Sequence, residues 1–246
     1  MATERDGHRI KAPSGPTRRL AGWIPATMLD WPGKVAATLF LSGCGFRCPF
    51  CHNPRLVAPV GEPADWSAFV EHVRARRSWL DGVVVTGGEP TDDPDLPSLL
   101  SALAEEHVPV KLDTNGSRPD VLRFLLAEEL VSYVALDVKT TPERYEEATG
   151  RRDVAAAVGD CIDLLVHSGI AHEFRTTVFP RSVELDELPD IASGLLGGRL
   201  YALQQFRPSD TLDPHAAGIR PYGRDELRSA AERCATYLPT IVRGAA

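Results

Sequence analysis

Apolar and polar positions follow two rhythms along this chain. Short runs rich in β-branched residues predict strands over 37–41, 83–86, 110–114, 133–137, 173–178 and 200–205, since buried strands read as continuous apolar runs. Between them apolar residues recur at helical spacing and predict helices over 65–77, 95–107, 119–129, 153–167 and 184–196, with a last one over 225–238. Repeated strand-then-helix order implies a parallel sheet with right-handed crossovers. The predicted class is α/β: a partial (β/α)6 TIM-like barrel fits the strand count, and a flat doubly wound sheet is the alternative. Residues 1–20 mix Arg, Lys, Gly and Pro without periodicity and read as a poorly ordered tail, whereas 21–246 read as a single domain with no Gly/Ser-rich linker. Within 22–34, GWIPATMLDWPGK reads as an approach to the first strand, turning at Pro32-Gly33.

Composition narrows the function classes. The 246 residues are 43% hydrophobic and 25% charged, enough to bury a core without staples, and the net charge of -7 argues against a nucleic-acid partner. The basic run Arg74, Arg76 and Arg77 reads as the solvated face of a helix. No apolar run reaches the ~18 residues of a membrane span, and no secretory signal is recognisable, so no membrane partner is expected. Of five cysteines, three crowd together, a layout for reduced thiols in a cytoplasmic protein rather than a disulfide framework. Cys161 and Cys234 fall at helical spacing among apolar residues and read as core.

The crowded three lie in LSGCGFRCPFCHNP over 41–54, where Cys44, Cys48 and Cys51 follow the first predicted strand. Thiolates suit iron-sulfur clusters, zinc or copper(I). Three are one short of a structural zinc site unless His52 or a distant residue joins, and His52 adjoins Cys51 too closely to share a tetrahedron easily. A 4Fe-4S cluster on three cysteines leaves one iron open to a small molecule. Other unusual polar residues fall at predicted strand ends: Gly87, Gly88, Glu89 and Pro90; Asp113, Thr114, Asn115 and Gly116; Asp137 and Lys139; Gln205 and Arg207, with Arg175 inside the fifth strand. In parallel α/β proteins those ends share the rim where ligands bind. Each segment also has an ordinary explanation. Gly87-Gly88 allows close backbone approach to a ligand, or is a plain turn. Asp113 is placed to hold an ammonium, or precedes a simple Asn-Gly turn. Asp137 and Lys139 share one face of an extended segment, as ligand contacts or as an ion pair worth little.

The spacing C-x3-C-x2-C, with Phe50 before the last cysteine and GGE downstream, resembles the radical S-adenosylmethionine (SAM) enzymes. WPGK at 31–34, the cysteine loop, GGEP, LDTNG at 112–116 and DVK at 137–139 together are similar to glycyl-radical-enzyme activating proteins over most of 22–210. The succession most resembles those of anaerobic ribonucleoside-triphosphate reductase, with pyruvate formate-lyase activating enzymes close by. The resemblance implies one 4Fe-4S cluster on Cys44, Cys48 and Cys51, since nothing between Cys51 and Gly87 supplies the cysteines of a ferredoxin-like insert. It implies bound SAM, with Phe50 beside the adenine, Gly87, Gly88, Glu89 and Asp113 at the methionine amino group, Asp137 at the ribose diol, and Lys139 with Arg175 at the carboxylate. In some relatives Asp113, Thr114 and Asp137 also ring a monovalent cation. The formate-lyase branch has a histidine near the ribose where this chain has Gln205-Phe206-Arg207, so that contact has no assigned residue. The implied activity is oxidoreductive: an electron from flavodoxin or ferredoxin cleaves SAM, and the 5'-deoxyadenosyl radical takes a hydrogen from a glycine of a partner enzyme. No side chain need act as acid or base. The rivals are a radical SAM enzyme acting on a small molecule, such as a deazapurine-forming carbon insertion, and a zinc-stabilised binding module.

Overall fold

The computed structural model describes residues 19–244, so the tail expected over 1–20 lies outside the described residues except for Arg19 and Leu20. One sheet runs in sequence order: β1 (Leu20–Thr27), β2 (Ala36–Leu41), β3 (Gly82–Gly87), β4 (Val110–Thr114), β5 (Tyr133–Asp137), β6 (Ala171–Val178), β7 (Tyr201–Gln205) and β8 (Thr240–Arg243). β1 pairs with β2 antiparallel and every later neighbour is parallel. With β1 and β8 as free edges, the sheet is a partial barrel of the TIM type, not a flat doubly wound sheet. The helices are α1 (Trp66–Arg76), α2 (Leu96–Glu105), α3 (Pro119–Ala127), α4 (Tyr145–Thr149), α5 (Ala155–Ser168), α6 (Leu188–Ser193) and α7 (Arg224–Cys234). Among the described residues no helix is long and apolar enough to cross a membrane.

The six predicted strands are all present, and the sheet adds one at each edge. β1 carries Gly22 and Pro25 and breaks register twice, so it has neither apolar alternation nor continuity. An edge strand tolerates both, since one side of its ladder has no partner to lose. β8 has only four residues; its register with β7 and the ion pair from Arg243 to Glu173 hold it in place. The helix predicted over 184–196 is shorter, because the Glu187 carboxylate accepts from the Glu184 N–H and holds that stretch as a turn, leaving Pro189 in the first turn of α6. At α1, Asp65 caps the start by accepting from the N–H groups of Ser67 and Ala68, while Arg74, Arg76 and Arg77 are exposed.

The two faces of the sheet differ in chemistry. Leu39, Val83, Val85, Leu112, Val134, Leu136 and Phe174 point outward and pack under the helices, with Cys161 of α5 and Cys234 of α7 fully buried among them. The inward face is largely polar: Thr38, Lys111, Glu173 and Arg175 alternate with those apolar positions. A small second core of Trp31, Ala36 and Val84, with Tyr133 against it, closes the amino-terminal end of the barrel. Gly82 makes room for it, since a Cβ there would stand 2.6 Å from the Trp31 ring. The opposite, carboxyl end stays open.

Candidate active site at the open end of the barrel

The loop after β2 is held by backbone hydrogen bonds on both sides. Gly43 and Cys44 donate to the carbonyls of Leu56 and Val57, while Gly88 and Glu89 donate to those of Leu41 and Gly43. This interleaving explains the glycine pair. A Cβ on Gly87 would meet the Leu41 carbonyl oxygen at 2.2 Å, and one on Gly88 the Gly43 oxygen at 2.3 Å. The glycines therefore let two loops approach each other, a demand that a simple turn does not make. Arg47 braces the same loop, its guanidinium donating to the carbonyls of Cys44 and Phe46 at 2.6 and 2.8 Å.

One cavity of about 410 Å3 opens at this rim, and every residue that the resemblance assigns to the cluster, SAM or a cation lines it: Cys44, Cys48, Phe50, Cys51, Gly87, Gly88, Glu89, Asp113, Thr114, Asp137, Lys139 and Arg175. Its volume lies within the roughly 300–1,000 Å3 usual for small-molecule sites. Among the described residues, no three His, Cys, Asp or Glu side chains are grouped around a single point as a closed mononuclear metal site would require. His52 also lines the cavity, where its Nε2 lies 3.2 Å from the Arg207 carbonyl oxygen and its ring stacks on Phe206. Burial pushes the Cys44 thiol up to about 12 and the Cys48 thiol up to about 11. Such thiols ionise only when a positive guest takes the proton's place, as a coordinating metal does. The donor set and the cavity thus fit an iron-sulfur cluster.

Beside the thiols lies a buried group of charges. Arg175 donates from Nη1 to Asp113 at 3.0 Å and from Nε to Asp137 at 2.7 Å. Lys139 Nζ donates to Asp137 at 3.0 Å, and Lys111, fully buried, pairs with Asp113. Burial alone would raise both carboxylates, yet Arg175, with Lys111 at one and Lys139 at the other, holds each below the ordinary carboxylate range. Two carboxylates against three cations leave a net charge of +1. Lower in the barrel, Glu173 takes a two-pronged pair from Arg243 and a hydrogen bond from the Tyr133 hydroxyl.

Glu89 lines the cavity and also fastens its walls together. Its carboxylate accepts from the N–H and hydroxyl of Thr91, from the Thr114 hydroxyl at 2.7 Å and from the Asn115 N–H at 2.7 Å. It ties the loop after β3 to the end of β4. Phe50 packs on Phe179, which contacts Phe206 edge-on. The sequence reading missed Lys111, Asp30 and Gln204. Lys111 and Asp113 stand two apart on a strand, the same relation that singled out Asp137 and Lys139, so the signal was present. Asp30 lines the cavity and accepts from Thr38 Oγ1 at 2.7 Å. Gln204, not Gln205, faces the cavity; Gln205 turns away and donates to the Tyr222 carbonyl.

The Radical SAM superfamily model matches residues 38–192. The protein named "Putative glycyl-radical enzyme activating enzyme" from Methanocaldococcus jannaschii is 31% identical over 230 residues, covering 91% of this chain and 94% of the relative. The pyruvate formate-lyase-activating enzyme of Streptococcus mutans is 28% identical over 203 residues, covering 77% and 74%. Among solved structures, SuiB of Streptococcus suis bound to S-adenosylmethionine superposes with a TM-score of 0.63 at 16% identity. That match covers 82% of this chain, which spans about half (48%) of the SuiB chain, and it speaks to fold alone.

Glu89 generates a pH prediction. Burial, opposed by its hydrogen bonds, raises its carboxyl from 4.5 to about 7. The folded state therefore binds this proton more tightly than the unfolded chain, so the stabilisation is complete below pH 4.5 and is lost as pH rises through 7. Urea unfolding of the cluster-free protein across this window should show a falling component that Glu89→Gln removes. Parallel profiles for the two proteins would contradict the assignment.

Proposed function

The chain belongs to the radical SAM superfamily, in its glycyl-radical-enzyme activating branch, and from that premise we propose that Cys44, Cys48 and Cys51 hold its 4Fe-4S cluster beside SAM, with anaerobic ribonucleoside-triphosphate reductase as the protein substrate. The observation that carries this reading is the meeting of three thiols with a buried, mutually paired group of charges, Asp113, Asp137, Lys139 and Arg175, in one cavity. Family membership implies both the cluster and SAM. When bound, they supply a one-electron cleavage of SAM, driven by a flavodoxin or ferredoxin, and a 5'-deoxyadenosyl radical that removes a hydrogen atom from a glycine Cα.

The chain's own residues bind and orient. Lys139 spends one of its three N–H donors on Asp137, which leaves donors for the carboxylate of SAM. Asp137 keeps lone pairs for the ribose diol while Arg175 and Lys139 hold its charge in place. Arg175 serves the site chiefly by fixing Asp113 and Asp137. Asp113 and the Gly87-Gly88 backbone face the methionine amino group, Phe50 the adenine. Glu89 acts through the loop it fastens. No side chain is asked to move a proton, in keeping with chemistry carried by the cofactor. The choice of reductase rests on the motif succession and on Gln205-Phe206-Arg207 standing where the formate-lyase branch has a histidine.

The test is to incubate reduced protein and SAM with an anaerobic ribonucleoside-triphosphate reductase and record the electron paramagnetic resonance spectrum. A carbon-centred glycyl doublet on the reductase is expected; 5'-deoxyadenosine formed with small metabolites but no radical on the partner contradicts the reading. The charge group also bears on the monovalent cation that Asp113, Thr114 and Asp137 ring in some relatives. With the charge of both carboxylates already balanced by Lys111, Lys139 and Arg175, we propose that this site works without one. SAM affinity should be the same in potassium, sodium and tetramethylammonium buffers of equal ionic strength. A marked tightening with potassium contradicts this.

A further inference from the structure

The sulfur of Cys44 has a side-chain hydrogen-bond donor whose purpose the SAM contacts do not explain. Asn115 Nδ2 donates to Cys44 Sγ at 3.7 Å, beside the backbone N–H of Phe46 at 3.4 Å. Three features fix Asn115 in this orientation. Its own N–H donates to Glu89 Oε2 at 2.7 Å, its Oδ1 accepts from the Ser117 N–H at 2.9 Å, and the residue is only 6% exposed. With the amide oxygen engaged by Ser117, the NH2 end is the one that faces the sulfur. Gly116, at φ +75°, makes the turn that permits this arrangement.

N–H donors to cysteine sulfur draw electron density from the ligand and favour the reduced, more negative cluster, so they raise its potential. The effect is larger in a buried pocket than in water. Resting on the reading of Cys44 as a cluster ligand, we propose that Asn115 is a positioning residue that raises the reduction potential of the cluster through its Nδ2–H···Sγ contact. The residue thereby brings the cluster closer to the range of its one-electron donor. Glu89 contributes indirectly, by holding the Asn115 backbone where the contact forms.

The test compares wild type, Asn115→Ser and Asn115→Asp, each loaded anaerobically with iron and sulfide, assayed for both, and titrated potentiometrically without SAM while the reduced cluster is followed by electron paramagnetic resonance. Serine keeps an oxygen for the Ser117 N–H, but its hydroxyl stops one bond short of the Nδ2 position and does not reach the sulfur. Aspartate keeps the shape and adds negative charge. The equilibrium constant for reduction should fall about tenfold in Asn115→Ser, which is about 59 mV for one electron, and further in Asn115→Asp. Unchanged potentials in fully loaded variants overturn the role of Asn115 and leave the three-cysteine reading standing. A wild-type chain that takes up no cluster overturns both. A second measurement needs no variant: with nitrogen-15 in the asparagine side chains, pulsed spectra of the reduced wild-type cluster should show a weak nitrogen coupling that responds to the label. Absence of that coupling also overturns the proposal.

Discussion

The cysteine loop and the loop after β3 approach so closely that each fixes the other. Gly88 and Glu89 donate backbone hydrogen bonds into the carbonyls of Leu41 and Gly43, and no side chain larger than hydrogen fits at Gly87 or Gly88. The Glu89 carboxylate then reaches across to Thr114 and Asn115 and fixes the end of β4. Three successive rim segments become one unit, and Cys44 is positioned within it. An inorganic cluster on three ligands needs this rigidity, because the protein contributes orientation and electrostatics while the cofactor contributes the chemistry.

The second constraint is the polar interior of the barrel. Placing Lys111, Asp113, Asp137, Glu173 and Arg175 on the inward face is costly unless every charge is paired, since removing one partner from a buried pair typically destabilises by about 3–5 kcal/mol. Arg175 serves two carboxylates at once, and Arg243 of the short edge strand β8 serves Glu173. The same pairs that stabilise the interior would set the charge that SAM meets in the proposed site. This is why the site lies on β4, β5 and β6 rather than on loops alone: strand register places Asp137 directly beside Arg175.

Much of this was legible in the sequence. The apolar runs located β2 to β7 because buried parallel strands need continuous apolar segments, and strand ends flagged the rim because function gathers there in parallel sheets. The motif succession led to the family. Other features had no local signal. β1 lacks a pattern because an edge strand needs none, and β8 is too short to show one. Glu89 reads as a ligand contact in the motif; its hydrogen bonds to Thr114 and Asn115, which tie two loops together, have no local signal because those partners lie 25 and 26 residues on. Gln204 was passed over for Gln205 because a shift of one residue along a strand exchanges faces, and the boundary of β7 alone does not fix the face.

The central claim is that three thiols carry a cluster with one iron exposed to SAM. Mössbauer spectroscopy of anaerobically purified protein enriched in iron-57, with and without SAM, tests it most directly. The account predicts a 4Fe-4S spectrum in which one iron of the four changes its parameters when SAM is added. Protein containing stoichiometric zinc and no iron, or an iron spectrum indifferent to SAM, would contradict it.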